Sequence, residues 1–414
     1  MRVASLIPAA DWLQGYSRDN LINDGLAAVI VMIMLIPQSL AYALLAGLPA
    51  EMGLYASILP LIAYALFGSS RTLSVGPVAV ASLMTASAVG SVTAGGNVDY
   101  ATAATALALL GGVMLIVLGL LKFGFVANFL SHPVVSGFIT ASGIIIALGQ
   151  LGPLMGVSIK GDTLPHLLED LGSHWVDAHG LTTLIGMCAI GFLLFSRYAL
   201  TSLLMASGMS ERAASLFVRA APVVIMVVVI PLSYLQGFAE QGVPVVGSVP
   251  AGLPAFSKPH LDWVLLEELA MPAFLIALTG FVESVSVGKT LGAKRRQRID
   301  PNQELIGLGA ANTAAALSGG FPVTGGFSRS MVNFDAGADT QMASIFTAAG
   351  IALAALLLTP ALYFLPKAVL AATIIVAVLA LIDWNILKLS ARFSRADLSA
   401  VLLTILITLV AGVE

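Results

Sequence analysis

The chain has 414 residues, 58% of them hydrophobic and only 10% charged, with a formal net charge of −3 and a mean hydropathy of +0.97. A soluble chain of this length carries roughly 25% charged residues, so the composition excludes a soluble globular domain and predicts an all-α polytopic membrane protein. A single cysteine, Cys188, excludes an intramolecular disulfide framework and any multi-cysteine metal site; the expected role is packing.

Residues 1–20 contain Arg2, Asp11, Arg18 and Asp19 without the apolar stretch of a secretory signal. They read as a cytoplasmic N-terminus. Apolar windows then predict thirteen spans, near 22–46, 52–68, 74–93, 101–121, 131–151, 180–196, 219–236, 264–288, 304–318, 321–335, 341–359, 366–382 and 397–413. The connections are short except for Gly152–Gly180 and Gly237–Trp263. The stretch Ser207–Ala221 predicts an interfacial amphipathic helix, with Glu211, Arg212 and Arg219 opposing Leu216, Phe217 and Val218.

Cation placement orients these spans. With the N-terminus inside, the inner loops hold Arg2, Arg18, Arg71, Lys122, Arg197, Arg212, Arg219, Lys289, Lys294, Arg295, Arg296, Arg298, Lys388, Arg392 and Arg395. The outer loops hold only Lys160, Lys258 and Lys367, and Arg329 alone falls within the membrane. The run from Lys294 to Arg298 reads as a topological anchor with access to anionic lipid. His132 opens the fifth span before Pro133, where a helix-end hydrogen bond is expected.

Seven spans per half make the two halves inverted repeats, 21–236 and 264–414, joined by an extracellular loop over 237–263. The second half is one span short and the chain stops at Ala411-Gly412-Val413-Glu414, so the reading expects a truncated chain with its last span missing. In each half the first span carries polar residues at mid-depth: Pro37-Gln38-Ser39 with Tyr42, against Glu283-Ser284 with Ser286. The third span is broken in each: Ser74-Val75-Gly76-Pro77, against Phe321-Pro322-Val323-Thr324-Gly325-Gly326. Interrupted segments at matching positions of two halves point to a transporter's binding site.

The stretch Gly319–Ser330 shows why. Its glycines and proline end one helix and let another begin near Phe327. Backbone freed at membrane depth is tolerated only where it is buried in protein or lines a wet cavity. A helix N-terminus there offers unpaired N–H groups and a positive dipole end to an anion. The half-helix starts at Pro77, Val78 and Ala79 and at Phe327, Ser328 and Arg329 are therefore the candidate anion site.

The segment Pro49–Ser57, continued through Tyr64–Arg71 and Ser74–Val80, resembles the signature of the sulfate permease (SulP) family. Pro37–Ala43 is similar to that family's first span, and Pro322–Asn333 to its tenth. The resemblance covers essentially the whole chain and implies a seven-plus-seven inverted-repeat transporter with broken helices three and ten. It implies a core domain over 21–121 and 264–359 that moves, elevator-like, against a gate domain over 131–236 and 366–414. It further implies an anion held between half-helices three and ten, a C-terminal STAS domain that this chain lacks, and a homodimer in the full-length form.

Gln38 and Tyr42, four apart on one helix face, read either as ordinary packing or, by the resemblance, as a donor and an aromatic wall at the substrate. Arg329 is costly at mid-membrane unless it faces the interior; it either draws anions in or partners a carboxylate such as Glu283. Glu283 in turn is either a constitutive salt-bridge partner or the coupling group. A dianion entering a negative interior is opposed by roughly 2.3 kcal/mol per charge per 100 mV, and a co-transported cation offsets that. By the resemblance an acidic residue here is linked to proton or sodium coupling, and a glutamate carries a proton without a coordination shell.

The leading expectation is secondary active transport of a small inorganic or organic anion, sulfate or a related oxyanion or dicarboxylate, by proton symport in a bacterial inner membrane. Sodium-coupled bicarbonate symport, exchange and an uncoupled channel are the alternatives. No P-loop, paired-carboxylate centre or metal-ligand spacing is present, so no enzyme, cofactor, metal or nucleic acid is expected.

Overall fold

A computed structural model describes residues 7–94, 96, 98–128, 132–159, 161, 163–248, 252–254, 256, 262–379, 382 and 395–412. The tallied cations Arg2, Lys160, Lys258, Lys388 and Arg392 lie outside the described residues, as do the side chains of His132, Arg212 and Arg395. The chain divides into two compact units, each assembled from both halves of the sequence. One is Met1–Phe129 with Ala251–Leu357, the other Leu130–Pro250 with Leu358–Glu414.

The first unit runs α1 (Ala9–Leu13), α2 (Arg18–Leu45), α3 (Ala50–Tyr55), α4 (Leu59–Phe67), β1 (Val75–Gly76), α5 (Ala79–Thr93) and α6 (Tyr100–Leu120). Its second part adds α13 (Trp263–Lys294), α14 (Pro301–Leu317), β2 (Thr324–Gly325), α15 (Phe327–Asp335) and α16 (Met342–Leu357). The predicted second span is two helices, because the chain turns at Ala56–Ile58 and Pro60 starts α4 with no N–H to lose. Helices α6 and α14 share the most extensive contact of the unit. Small residues permit it: a Cβ on Gly112 would fall 2.7 Å from the Thr313 nitrogen, and one on Gly309 would fall 2.7 Å from the Gly112 carbonyl oxygen. In lipid, association depends on such close backbone approach rather than on a hydrophobic gradient.

Half-helices are the defining irregularity of this unit. The third predicted span is β1 followed by the 15-residue α5, and the tenth is β2 followed by the nine-residue α15. The two strands pair antiparallel, Val75 opposite Gly325 and Gly76 opposite Thr324.

In the second unit are α7 (His132–Gly149), α8 (Leu151–Met155), α9 (Leu164–His174), α10 (Gly180–Phe195), α11 (Thr201–Ala206), α12 (Glu211–Gln236), α17 (Thr359–Leu362) and α18 (Lys367–Leu379). A further helix spans Arg395–Ala411. The predicted amphipathic helix is not separate. Glu211–Gln236 is one helix of 26 residues, since nothing between Glu211 and Pro222 stops it and a proline inside a membrane helix is tolerated. Cys188 does not pack in a core either: it is exposed on α10, whose span is only 22% buried against 61% for α2. Seven helices among the described residues are long and apolar enough to cross a membrane, with shorter apolar helices beside them.

Candidate anion site

The half-helix starts are uncapped. Val78 and Gly326 hold the N-cap positions in extended backbone, and neither gives a side-chain cap. The first amide of α15 with a helical acceptor is Ser330, to Gly326 O at 3.0 Å; in α5 it is Ser82, to Val78 O at 2.9 Å. The amides of residues 79–81 and 327–329 therefore lack helical partners, as the first turn of any helix must. The antiparallel ladder sends α5 and α15 away in opposite directions, so both positive dipole ends point back toward it.

A frame of buried polar side chains holds the two loops in this shape. Asn312 donates to Val323 O at 2.8 Å and accepts from Val323 N at 2.9 Å. Ser284 Oγ accepts from Gly325 N at 2.9 Å and lies 3.1 Å from Thr324 Oγ1. Asn333 donates to Thr72 O, Gln341 to the carbonyls of Ser70 and Leu73, and Ser330 Oγ accepts from Ser74 N. Glu304, fully buried, accepts from Tyr64 OH at 2.8 Å, from Ser69 N and Oγ, and from Ser70 N. None of Asn312, Asn333, Gln341 and Glu304 was singled out from sequence. The available signal was a lone polar residue among apolar ones, which must find partners because burying it unbonded costs several kcal/mol.

Arg329 is the third residue of α15 and 2% exposed. Its Nη1 donates to Pro77 O at 2.7 Å and its Nη2 to Thr324 O at 3.4 Å, while Nε is buried without a partner among the described residues. Pro77 thus enters the site differently from the sequence reading. A proline has no N–H to offer an anion, and its contribution is the carbonyl that holds Arg329. Gly76 leaves room for this, since a Cβ there would sit 3.2 Å from Arg329 Nη1.

Gln38 and Tyr42 are buried on α2, which packs against both α5 and α15. Glu283 is half-buried on α13, which also packs against both. Among the described residues no ion pair within 4.0 Å joins Glu283 to Arg329. No side-chain hydrogen bond of Gln38, Tyr42 or Glu283 is found among the described residues. Phe327 and Ser328 are exposed at the helix start. The structure therefore sets the Arg329 guanidinium beside two open helix starts, and the helices that carry Gln38, Tyr42 and Glu283 pack against both half-helices.

A sequence model of the sulfate permease family matches residues 21–404. The chain belongs to the sulfate permease family.

Among relatives of this chain, the chloroplastic sulfate transporter 4.1 of Arabidopsis thaliana is 34% identical over 414 residues, covering 100% of this chain and 59% of the plant protein. The structure of SLC26A9 superposes with a TM-score of 0.90 at 25% identity, over 99% of this chain and 66% of that one. The transmembrane domain of the cyanobacterial bicarbonate transporter BicA gives a TM-score of 0.82 at 24% identity, over 96% and 99%; at that identity the likeness concerns the fold. The chain thus spans about 59% of its plant relative's length. These proteins carry transporter names, in line with the expectation that the chain is no enzyme.

Proposed function

We propose that the permease is a secondary active transporter of a small anion, which binds between the N-termini of α5 and α15. The observation that carries this is the unpartnered Nε of a buried guanidinium beside two uncapped helix starts. A buried donor left unbonded costs on the order of 1–3 kcal/mol, and an anion meeting Nε and the free amides removes that cost. Backbone amides recognise charge more than shape, so the substrate class is taken from the name of the plant relative: sulfate.

Glu283 is assigned to coupling. It lies on α13, which packs against both half-helices, and among the described residues no ion pair within 4.0 Å locks it to Arg329; a glutamate carries a proton without a coordination shell. The unit holding both half-helices is assigned as the moving core, and the other as the gate. The N-terminus is assigned to the cytoplasm of a bacterial inner membrane, from the cation asymmetry.

The deciding experiment is uptake of radiolabelled sulfate, bicarbonate, chloride and a dicarboxylate into proteoliposomes, with pH and sodium gradients varied independently. Accumulation of one anion driven by an inward proton gradient supports proton symport. Drive by sodium alone moves the assignment to sodium coupling, and equilibration without accumulation to exchange or conductance.

A further inference from the structure

The elements that carry Tyr42, Glu283 and Arg329 meet a second time, at the far end of α15. On α2, Asn23 donates to Asp339 Oδ2 at 2.8 Å, and the fully buried Asp24 accepts from the amides of Asp339 at 2.7 Å and Thr340 at 3.0 Å. Arg295 closes the C-terminus of α13. It donates from Nη1 to Ala338 O and from Nη2 to Phe334 O at 3.4 Å. Its guanidinium lies 4.7 Å from the Phe334 ring centre, and Nη1 is 3.8 Å from Asp339 Oδ1.

The last carbonyls of a helix have no partner within it, and a cation there also meets the negative dipole end. Half-helix α15 is nine residues long, about 13 Å at 1.5 Å per residue. So short a rod carries any displacement of its C-terminal end through to Phe327–Arg329. We propose that Arg295 is a positioning residue for anion binding. By gripping from α13 the carbonyl of Phe334 in the last turn of α15 and that of Ala338 just beyond it, it fixes where the amides of Phe327–Arg329 stand against those of Ala79–Ala81. Arg295 thereby differs from Arg296 in the same basic run, which is exposed and serves only as an anchor. The inference rests on the anion-site reading above.

The test uses the full chain in lipid nanodiscs with Arg295→Gln, Arg295→Lys, Arg296→Gln and Arg329→Ala. Hydrogen–deuterium exchange over Phe327–Asp335 reports the half-helix without any anion, and equilibrium binding of radiolabelled sulfate per folded protein reports the site. Arg295→Gln should speed exchange in that segment and weaken sulfate binding roughly three- to thirty-fold. Arg295→Lys should restore part of both, and Arg296→Gln should match the unaltered protein. Exchange in Arg295→Gln indistinguishable from Arg296→Gln overturns the positioning role. Sulfate binding unchanged in Arg329→Ala overturns the anion-site reading instead. If Arg295→Gln does not fold, Arg295→Lys carries the comparison, because one ammonium cannot span both carbonyls as the guanidinium fork does.

Discussion

Arg329 Nη1 donates to the carbonyl oxygen of Pro77 at 2.7 Å, which ties the first turn of one half-helix to the residue before the N-cap of the other. Among the described residues the Nε of the same side chain has no partner, which leaves it available for the anion-binding role proposed above. Arg329→Ala is expected to weaken anion half-saturation about ten- to a hundredfold, the equivalent of one charge-assisted hydrogen bond of roughly 1.5–3 kcal/mol. Arg329→Lys should recover only part, because an ammonium cannot bond Pro77 and an anion in the same planar geometry. Initial uptake rates against anion concentration check this, and an unmoved half-saturation assigns Arg329 a structural role alone.

Among the described residues no ion pair within 4.0 Å joins Glu283 to Arg329. Glu283→Gln keeps the shape and removes the titrating group. Uptake driven by an inward proton gradient should fall to the undriven level, while anion binding changes by less than about threefold. Gradient-driven uptake persisting in the glutamine variant removes the residue from coupling.

Glu304 receives hydrogen bonds from Tyr64, Ser69 and Ser70 in a fully buried position. Glu304→Ala leaves those donors unsatisfied, and the loss should be on the order of 2–4 kcal/mol. Thermal unfolding of the detergent-solubilised protein should show a lower midpoint, with the more conservative Glu304→Gln intermediate. A midpoint equal to that of the unaltered protein contradicts the anchoring role.

Gly325 lies where a Cβ would fall 2.8 Å from Leu73 Cδ1 and 2.9 Å from Ser284 Oγ. Gly325→Ala should displace the ladder that aims the half-helices and abolish uptake, with the protein still inserted. Gly90, which has nothing within 4 Å of such a Cβ, provides the control: Gly90→Ala should transport normally. Equal uptake by the two variants argues against a precise ladder.

Much of this was legible before any coordinates. The breaks at Gly76-Pro77 and Gly325-Gly326 stand out because glycine and proline interrupt otherwise apolar runs, and the helices do restart at Ala79 and Phe327. Glu283 and Arg329 stand out because charge is expensive at membrane depth. The frame around them was not legible. Asn312, Gln341 and Asn333 look like polar residues anywhere, and their partners Val323, Leu73 and Thr72 are named only by the fold. Arg295 was hidden among five consecutive polar residues, four of them cationic, where sequence favours a shared role for all.

What the sequence by itself determined is where helices run and where they must stop, because hydropathy and backbone-breaking residues act locally. Only the tertiary structure decided that the two interrupted segments pair as an antiparallel ladder, that Pro77 contributes its oxygen, and that Arg329 retains a free donor. Those depend on which distant groups come within hydrogen-bonding distance. In a membrane interior, where water does not satisfy polar atoms, that proximity decides whether a polar group is framework or binding site.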